Sequence, residues 1–406
     1  MAVGLEAPGS LEPVAGVRIG TAALGARREP RDDLALFALG PGSEAAAVFT
    51  RNAFCAAPVV VARRHLAAAA PRALVINAGN ANAATGARGI ADAELCCRLA
   101  AAAAGCAPEE VLPFSTGVIG EPLEVERFRG ALPAAGAALA PDGWLAAARA
   151  IMTTDTVPKG RSRRFTAGGR ECVLTGIAKG SGMIRPDLAT MLAFLATDAA
   201  VPRAVLAEAL AEAVEASFNR VTVDGDTSTN DACLLVATGA SGAAPIEGRD
   251  HPDYPAFAAA LDEVCRWLAQ ALARDGEGAS KFVTVAVGGG ASDEECLRVA
   301  YAIAHSPLVK TALGAGDANW GRILAAVGRA GVAGLAGERV GLTLNGVRVV
   351  AGGVRAAGYS EALGAQALAG PEVTVEVDLG RGSRSATVWT CDLTHEYVTI
   401  NAEYRT

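Results

Sequence analysis

Strand-like runs of apolar and β-branched residues stand at Val17 to Leu24, Leu74 to Asn77, Val283 to Val287, Val340 to Val350 and Val373 to Leu379, several alternating with polar positions. Asn345-Gly346 separates Leu342-Thr343-Leu344 from Val347-Arg348-Val349. That dipeptide suits a two-residue hairpin, whose central residues both need positive φ. Gly380-Arg381-Gly382-Ser383 reads as the turn of a following antiparallel pair. A helical period takes over at 203 to 217, where Leu206, Leu210 and Val214 recur every four residues while Glu208, Glu212 and Glu215 fall elsewhere. Leu261, Val264, Cys265, Leu268 and Leu272 repeat it. Helices and strands intermix with hairpin signals and without a regular βαβ alternation, which predicts α+β layers.

Composition narrows the function classes. The chain has 406 residues, 51% of them hydrophobic and 19% charged, with a formal net charge of −7. At roughly 150 residues per domain that is two to three domains' worth of chain, enough for a large core and too apolar for general disorder. The most basic run is the short Arg161-Ser162-Arg163-Arg164, so a nucleic-acid partner would lack its electrostatic footprint. No uncharged apolar stretch reaches the roughly 18 residues that span a bilayer, and the first residues lack a basic start followed by an apolar run. The expectation is a cytoplasmic protein. Nine cysteines, at 55, 96, 97, 106, 172, 233, 265, 296 and 391, show no C-x-x-C spacing and are joined by only four histidines. Neither a disulfide framework nor a zinc cage is visible, and buried free thiols are expected.

Several segments invite a chemical reading. Lys179-Gly180-Ser181-Gly182, Gly288-Gly289-Gly290 and Gly314-Ala315-Gly316-Asp317 are glycine-rich, yet none completes a phosphate-binding fingerprint, so turns and close packing explain them equally. Asp224-Gly225-Asp226-Thr227-Ser228-Thr229-Asn230-Asp231 looks like a metal loop, but Thr229 stands where an EF-hand needs glycine and no glutamate closes the loop. Side-chain turns account for it as well. No G-x-S-x-G or H-E-x-x-H occurs. In Lys179 to Leu192 a glycine-rich turn leads to Ala189-Thr190, where a hydroxyl could attack the carbonyl before it. Pattern alone leaves Thr190 open between nucleophile and ordinary threonine.

The chain resembles the ornithine acetyltransferase family, the ArgJ-type enzymes of arginine biosynthesis. The resemblance is carried by Val75-Ile76-Asn77-Ala78-Gly79-Asn80-Ala81-Asn82-Ala83, Ser115-Thr116-Gly117-Val118-Ile119-Gly120, Ile151-Met152-Thr153-Thr154-Asp155-Thr156, the 179 to 192 segment, Ser217 to Asp231, Asp275-Gly276-Glu277-Gly278, Gly314 to Arg322, and Ile400 to Thr406. These stretches fall in one order across nearly the whole chain.

The resemblance implies a layered α/β/β/α-type sandwich, self-cleaved between Ala189 and Thr190 into an alpha chain of residues 1–189 and a beta chain of residues 190–406. Thr190 would then be both nucleophile and, through its new α-amino group, its own base. It would carry acetyl from N2-acetylornithine to glutamate by a ping-pong route. Thr116 and Gly117 would form the oxyanion hole, and Thr153, Lys179, Thr190, Glu277, Asn401 and Thr406 would contact substrate. Asp224 to Asp231 and Lys310 to Arg322 would be scaffolding, and His395 a packed histidine. Some members also accept acetyl-CoA as donor, and these residues leave that choice open. No metal or tightly held cofactor is implied, and two alpha and two beta chains would associate. The same nucleophile would equally serve an N-terminal-threonine amidohydrolase or aminopeptidase, with water in place of glutamate.

Overall fold

The computed structural model describes residues 2–25, 31–185 and 191–403. They form two compact units, a larger one from 7–219 with 226–272 and a smaller one from 273–403 with 2–6 and 220–225.

The larger unit holds two sheets. Strands β1 (Val17–Ala22), β2 (Leu34–Leu39), β4 (Ala73–Asn80) and β5 (Val111–Val118) make one, in the order β1-β2-β4-β5. Strands β3 (Glu44–Phe49), β6 (Lys159–Ala167), β7 (Arg170–Lys179), β8 (Leu192–Thr197) and β9 (Ala232–Ala237) make the other, in the order β3-β9-β8-β7-β6. Ile19, Phe37, Ile76 and Phe114 of the first sheet share one core with Phe49, Ile177, Phe194 and Leu234 of the second. The rings of Phe114 and Phe194 meet edge-on at 4.9 Å between centroids.

Helices α1 (Ala57–Ala68) and α4 (Trp144–Ala150) add Val59, Leu66 and Trp144 to that core. On the outer face of the first sheet Leu34, Leu36, Val75 and Val111 pack against α2 (Gly86–Ala104) and α3 (Val125–Ala137). Helix α5 (Arg203–Ala216) lies on β3 and β9, and α6 (Tyr254–Arg274) brings Phe257 to Phe165 of β6. The result is an α/β/β/α sandwich. Burial on both faces explains why β2 reads Leu-Ala-Leu-Phe-Ala-Leu without alternation: successive side chains point to opposite faces and each face meets a core.

The smaller unit is built on a six-stranded sheet of β10 (Phe282–Gly290), β11 (Gly341–Leu344), β12 (Val347–Ala351), β13 (Val354–Arg355), β14 (Glu372–Asp378) and β15 (Arg384–Cys391), ordered β13-β12-β11-β14-β10-β15. Val299 and Ile303 of α7 (Asp293–Ala304), Val309 and Leu313 of α8 (Pro307–Gly314), and Ile323 and Val327 of α9 (Trp320–Gly328) pack on Val285, Leu342 and Val375. Helices α10 (Glu361–Ala367) and α11 (His395–Glu403) complete the unit.

Asn345 and Gly346 adopt φ of 44° and 80°, the double positive value of the predicted hairpin, and β11 and β12 pair antiparallel across it. The reading of Gly380 to Ser383 needs correction. These residues join β14 to β15, but β10 lies between the two, parallel to β14 and antiparallel to β15. The turn therefore crosses over a strand supplied from far earlier in the chain.

The nine cysteines are all free, with Cys55 and Cys106 half-buried and the rest buried. No helix among the described residues is long and apolar enough to cross a membrane.

Candidate active site

The C-terminal end of β5 carries Ser115, Thr116 and Gly117, paired in parallel with Asn77, Ala78 and Gly79 of β4. The ladder is irregular here: Asn80 stands in register with both Thr116 and Val118. Gly117 has φ of +133°, and a Cβ at this position would lie 2.3 Å from the Gly79 carbonyl carbon and 2.6 Å from the Asn80 nitrogen. Only glycine fits so close an approach of two backbones. Below it, Ser115 Oγ donates to Asn77 Oδ1 at 2.6 Å, and Asn77 Nδ2 donates to the Asn80 carbonyl at 2.9 Å. Asn77 thus serves the backbone of the bend.

Lys179 ends β7 and is buried; its Nζ donates to Thr116 Oγ1 at 3.2 Å. Because that oxygen accepts from an ammonium, the Thr116 hydroxyl keeps its own proton to give elsewhere. Lys179 is joined to a fully enclosed ion pair. Asp155 Oδ1 accepts from Lys159 Nζ at 2.7 Å, with both side chains withdrawn from water, and from the Gly180 N–H at 2.7 Å. Its Oδ2 accepts from the Thr153 N–H at 2.9 Å. Burial pushes the Asp155 carboxyl up, but Lys159, Lys179 and the Gly180 N–H outweigh it and hold the group well below the usual carboxylate range. Both lysines thus act on one buried carboxylate, and Lys179 also reaches Thr116.

The loop from Thr227 to Asp231 is pinned to the same unit. The Thr50 hydroxyl donates to the Ser228 carbonyl at 2.8 Å, and Asn230, itself buried, reaches the carbonyls of Ala81 at 2.6 Å and Ser115 at 2.9 Å.

Within the smaller unit the Asp275-Gly276-Glu277-Gly278 turn meets α11. Glu277 Oε2 accepts from Asn401 Nδ2 at 2.7 Å, and the same amide group reaches the Tyr397 carbonyl at 3.0 Å. Gly278 permits this, since a Cβ there would stand 2.4 Å from the Tyr397 nitrogen. Lys310, expected to be scaffolding, is buried with its Nζ on Thr390 Oγ1 at 2.9 Å. His395 is not packed as expected; it begins α11 and is exposed.

Of the residues singled out in sequence, the structure brings Thr116, Gly117, Lys179 and Thr153 into one network in the larger unit, and Glu277 and Asn401 into direct contact in the smaller. Ala189, Thr190 and Thr406 lie outside the described residues; Leu192, two positions after Thr190, is in register with Lys179. Sequence reasoning missed Asp155 as the hub of the lysines and Asn230 as a link to β5. The one signal was a carboxylate inside Thr153-Thr154-Asp155-Thr156 with a lysine four positions on.

A helix–sheet–sheet–helix sandwich with a lysine-supported threonine and a glycine bend at a strand end has the form of an acyl-transfer enzyme. The chain belongs to the ArgJ family, whose sequence pattern matches residues 18–406. It is 56% identical over 395 residues to the arginine biosynthesis bifunctional protein ArgJ of Methylococcus capsulatus, covering 97% of this chain and 96% of that one. With the protein of the same name from Pseudomonas syringae pv. tomato it shares 52% over 406 residues, the full length of both. The crystal structure of the arginine biosynthesis bifunctional protein ArgJ from Bacillus halodurans superimposes with a TM-score of 0.51 at 40% identity, covering 53% of this chain and 100% of that one.

Proposed function

We propose that this chain is a self-processing acetyltransferase of arginine biosynthesis that moves acetyl from N2-acetylornithine to glutamate through Thr190. Membership of the ArgJ family and relatives named for arginine biosynthesis support the reading. The observation that carries its chemistry is the Lys179 Nζ to Thr116 Oγ1 contact beside Gly117.

Processing comes first. The Thr190 hydroxyl attacks the Ala189 carbonyl, the C–N bond breaks to free the Thr190 amine, and water hydrolyses the resulting ester to the Ala189 carboxylate and the restored Thr190 hydroxyl. That amine, with an ordinary pKa of about 7.7 to 8.0, accepts the hydroxyl proton in the next step. Thr190 Oγ then attacks the acetyl carbonyl; the proton passes by way of the amine to the leaving nitrogen, and ornithine departs. The α-amine of glutamate attacks the acetyl-threonine and restores the hydroxyl.

Both half-reactions build negative charge on one oxygen. The spare Thr116 proton and the Gly117 N–H are its donors, with the Lys179 ammonium on Thr116 behind them. Glu277 receives the substrate's free ammonium and Asn401 fixes that carboxylate. Thr153 and the terminal Thr406 offer neutral hydrogen bonds.

Hydroxyl, amine and oxyanion donors all come from the chain, so the proposed route needs no metal or cofactor. Acetyl-CoA is the candidate second donor. Two copies of each processed chain assemble in the cytoplasm. The test is incubation with acetylornithine with and without glutamate: acetylglutamate formed in step with ornithine supports transfer. Equal ornithine release with free acetate points instead to an amidohydrolase.

A further inference from the structure

We propose that Asn230 is a positioning residue for acyl transfer: by holding the Ser115 carbonyl it aims the peptide that leads into Thr116 and Gly117. The inference rests on the oxyanion role proposed for those two residues.

The orientation of this carboxamide is fixed by its partners. Two carbonyl oxygens, those of Ala81 and Ser115, face one end of it and require the NH2 group there; Thr229 Oγ1 donates to the other end, Oδ1, at 2.6 Å. Both amide protons are therefore spent on two different stretches of chain, one just past β4 and one inside β5.

Both lie beside the irregular end of the ladder, although Ser115 itself still pairs in register with Asn77. β5 is the last strand of its sheet among the described residues, and its register with β4 shifts at Asn80. A bulged edge strand would be free to rotate its peptides, and the Asn230 side chain stands in for the missing ladder. Because a peptide unit is planar, fixing the Ser115 carbonyl also fixes the Thr116 N–H and the direction in which the chain leaves toward Gly117.

The base of the clamp is itself anchored. The Thr50 N–H donates to the Asp231 carbonyl at 2.9 Å, the Ala56 N–H to the Thr229 carbonyl at 2.9 Å, and the Asn230 N–H to Ser228 Oγ at 3.1 Å. The acidic loop that looked like a metal site thus ends in a side chain aimed at the strand of the proposed oxyanion hole.

The test is a double-mutant cycle read in kcat and KM for acetylornithine, with rates counted per processed chain. Asn230→Asp keeps the shape but turns a carboxylate toward two carbonyl oxygens. A misplacement near 1 Å costs up to about 100-fold in rate, so kcat is expected to fall roughly 10- to 100-fold while KM stays within about threefold. In a Thr116→Val background the same change should cost several-fold less than in the parent, because one of the two donors it misdirects is already gone. Thr229→Val, which frees the carboxamide to turn, repeats the cycle with a smaller loss and covers the case in which Asn230→Asp does not fold. Wild-type kcat in a folded variant, or losses that simply multiply with Thr116→Val, overturn the inference. Failure of the functional reading is distinct: the unsubstituted protein would then form no acetylglutamate at all.

Discussion

Asp155→Asn tests the electrostatic core of the site. The Asp155 and Lys159 side chains are both fully excluded from water at 2.7 Å. Removing one member of such a pair leaves the other charge uncompensated, which costs about 3–5 kcal/mol. The asparagine would also present an NH2 where two oxygens now accept from Lys159, Gly180 and Thr153. Unfolding in urea, read from the midpoint at constant slope, should show that loss. Adding Lys159→Met removes the stranded ammonium and should restore at least about half of it. A single variant within about 1 kcal/mol of the parent, or a double variant no better than the single, would refute the charge argument.

The pH dependence follows from the same pair. Asp155 is held below the ordinary carboxylate range in the folded state, so its stabilisation is complete above an unfolded pKa of about 3.9 and is lost as pH falls from there toward the lowered native value. The stability difference between parent and Asp155→Asn should be flat from neutral pH to about pH 5 and shrink only below about pH 4.

Other expectations are simpler. Thr116→Val should leave the fold intact and lower kcat by about 100- to 1,000-fold, the usual effect of losing one oxyanion donor; a change under tenfold in steady-state assays would count against its role. Glu277→Gln keeps the Asn401 contact possible but removes the charge, and should raise KM for acetylornithine by about tenfold or more, the size of a lost charge-assisted hydrogen bond; an unchanged KM would remove Glu277 from ammonium binding. Thiol titration of the native protein at neutral pH should be slow, since burial pushes the Cys97 thiol up to about 12 and the Cys96 thiol higher still, so the reactive thiolate is scarce. Rapid reaction of more than Cys55 and Cys106, the two half-buried thiols, would contradict the packing.

What the sequence could reveal depended on how local the determinant was. The Asn345-Gly346 hairpin was legible because both positive φ values belong to adjacent residues, and α5 and α6 because their apolar stripes repeat within each helix. The pairing of β14 and β15 was misread because β10 inserts between them, a long-range event without a local mark. Thr116 and Lys179 were legible as family residues, yet their contact joins positions 63 apart and appears only once two sheets face each other. Asp155 looks like one polar residue in a polar stretch, and only its burial makes it a hub. His395 was misjudged for the opposite reason: its helix runs along the surface, with no residue of it buried.

The central claim is that Thr190 is first released and then carries acetyl. The most direct measurement is intact-protein mass spectrometry of active material mixed with acetylornithine and then with glutamate. A fragment beginning at Thr190 should gain one acetyl group in the first step and lose it in the second. Full activity from an uncut chain, or from a cut chain that never carries the acetyl group, would contradict the account.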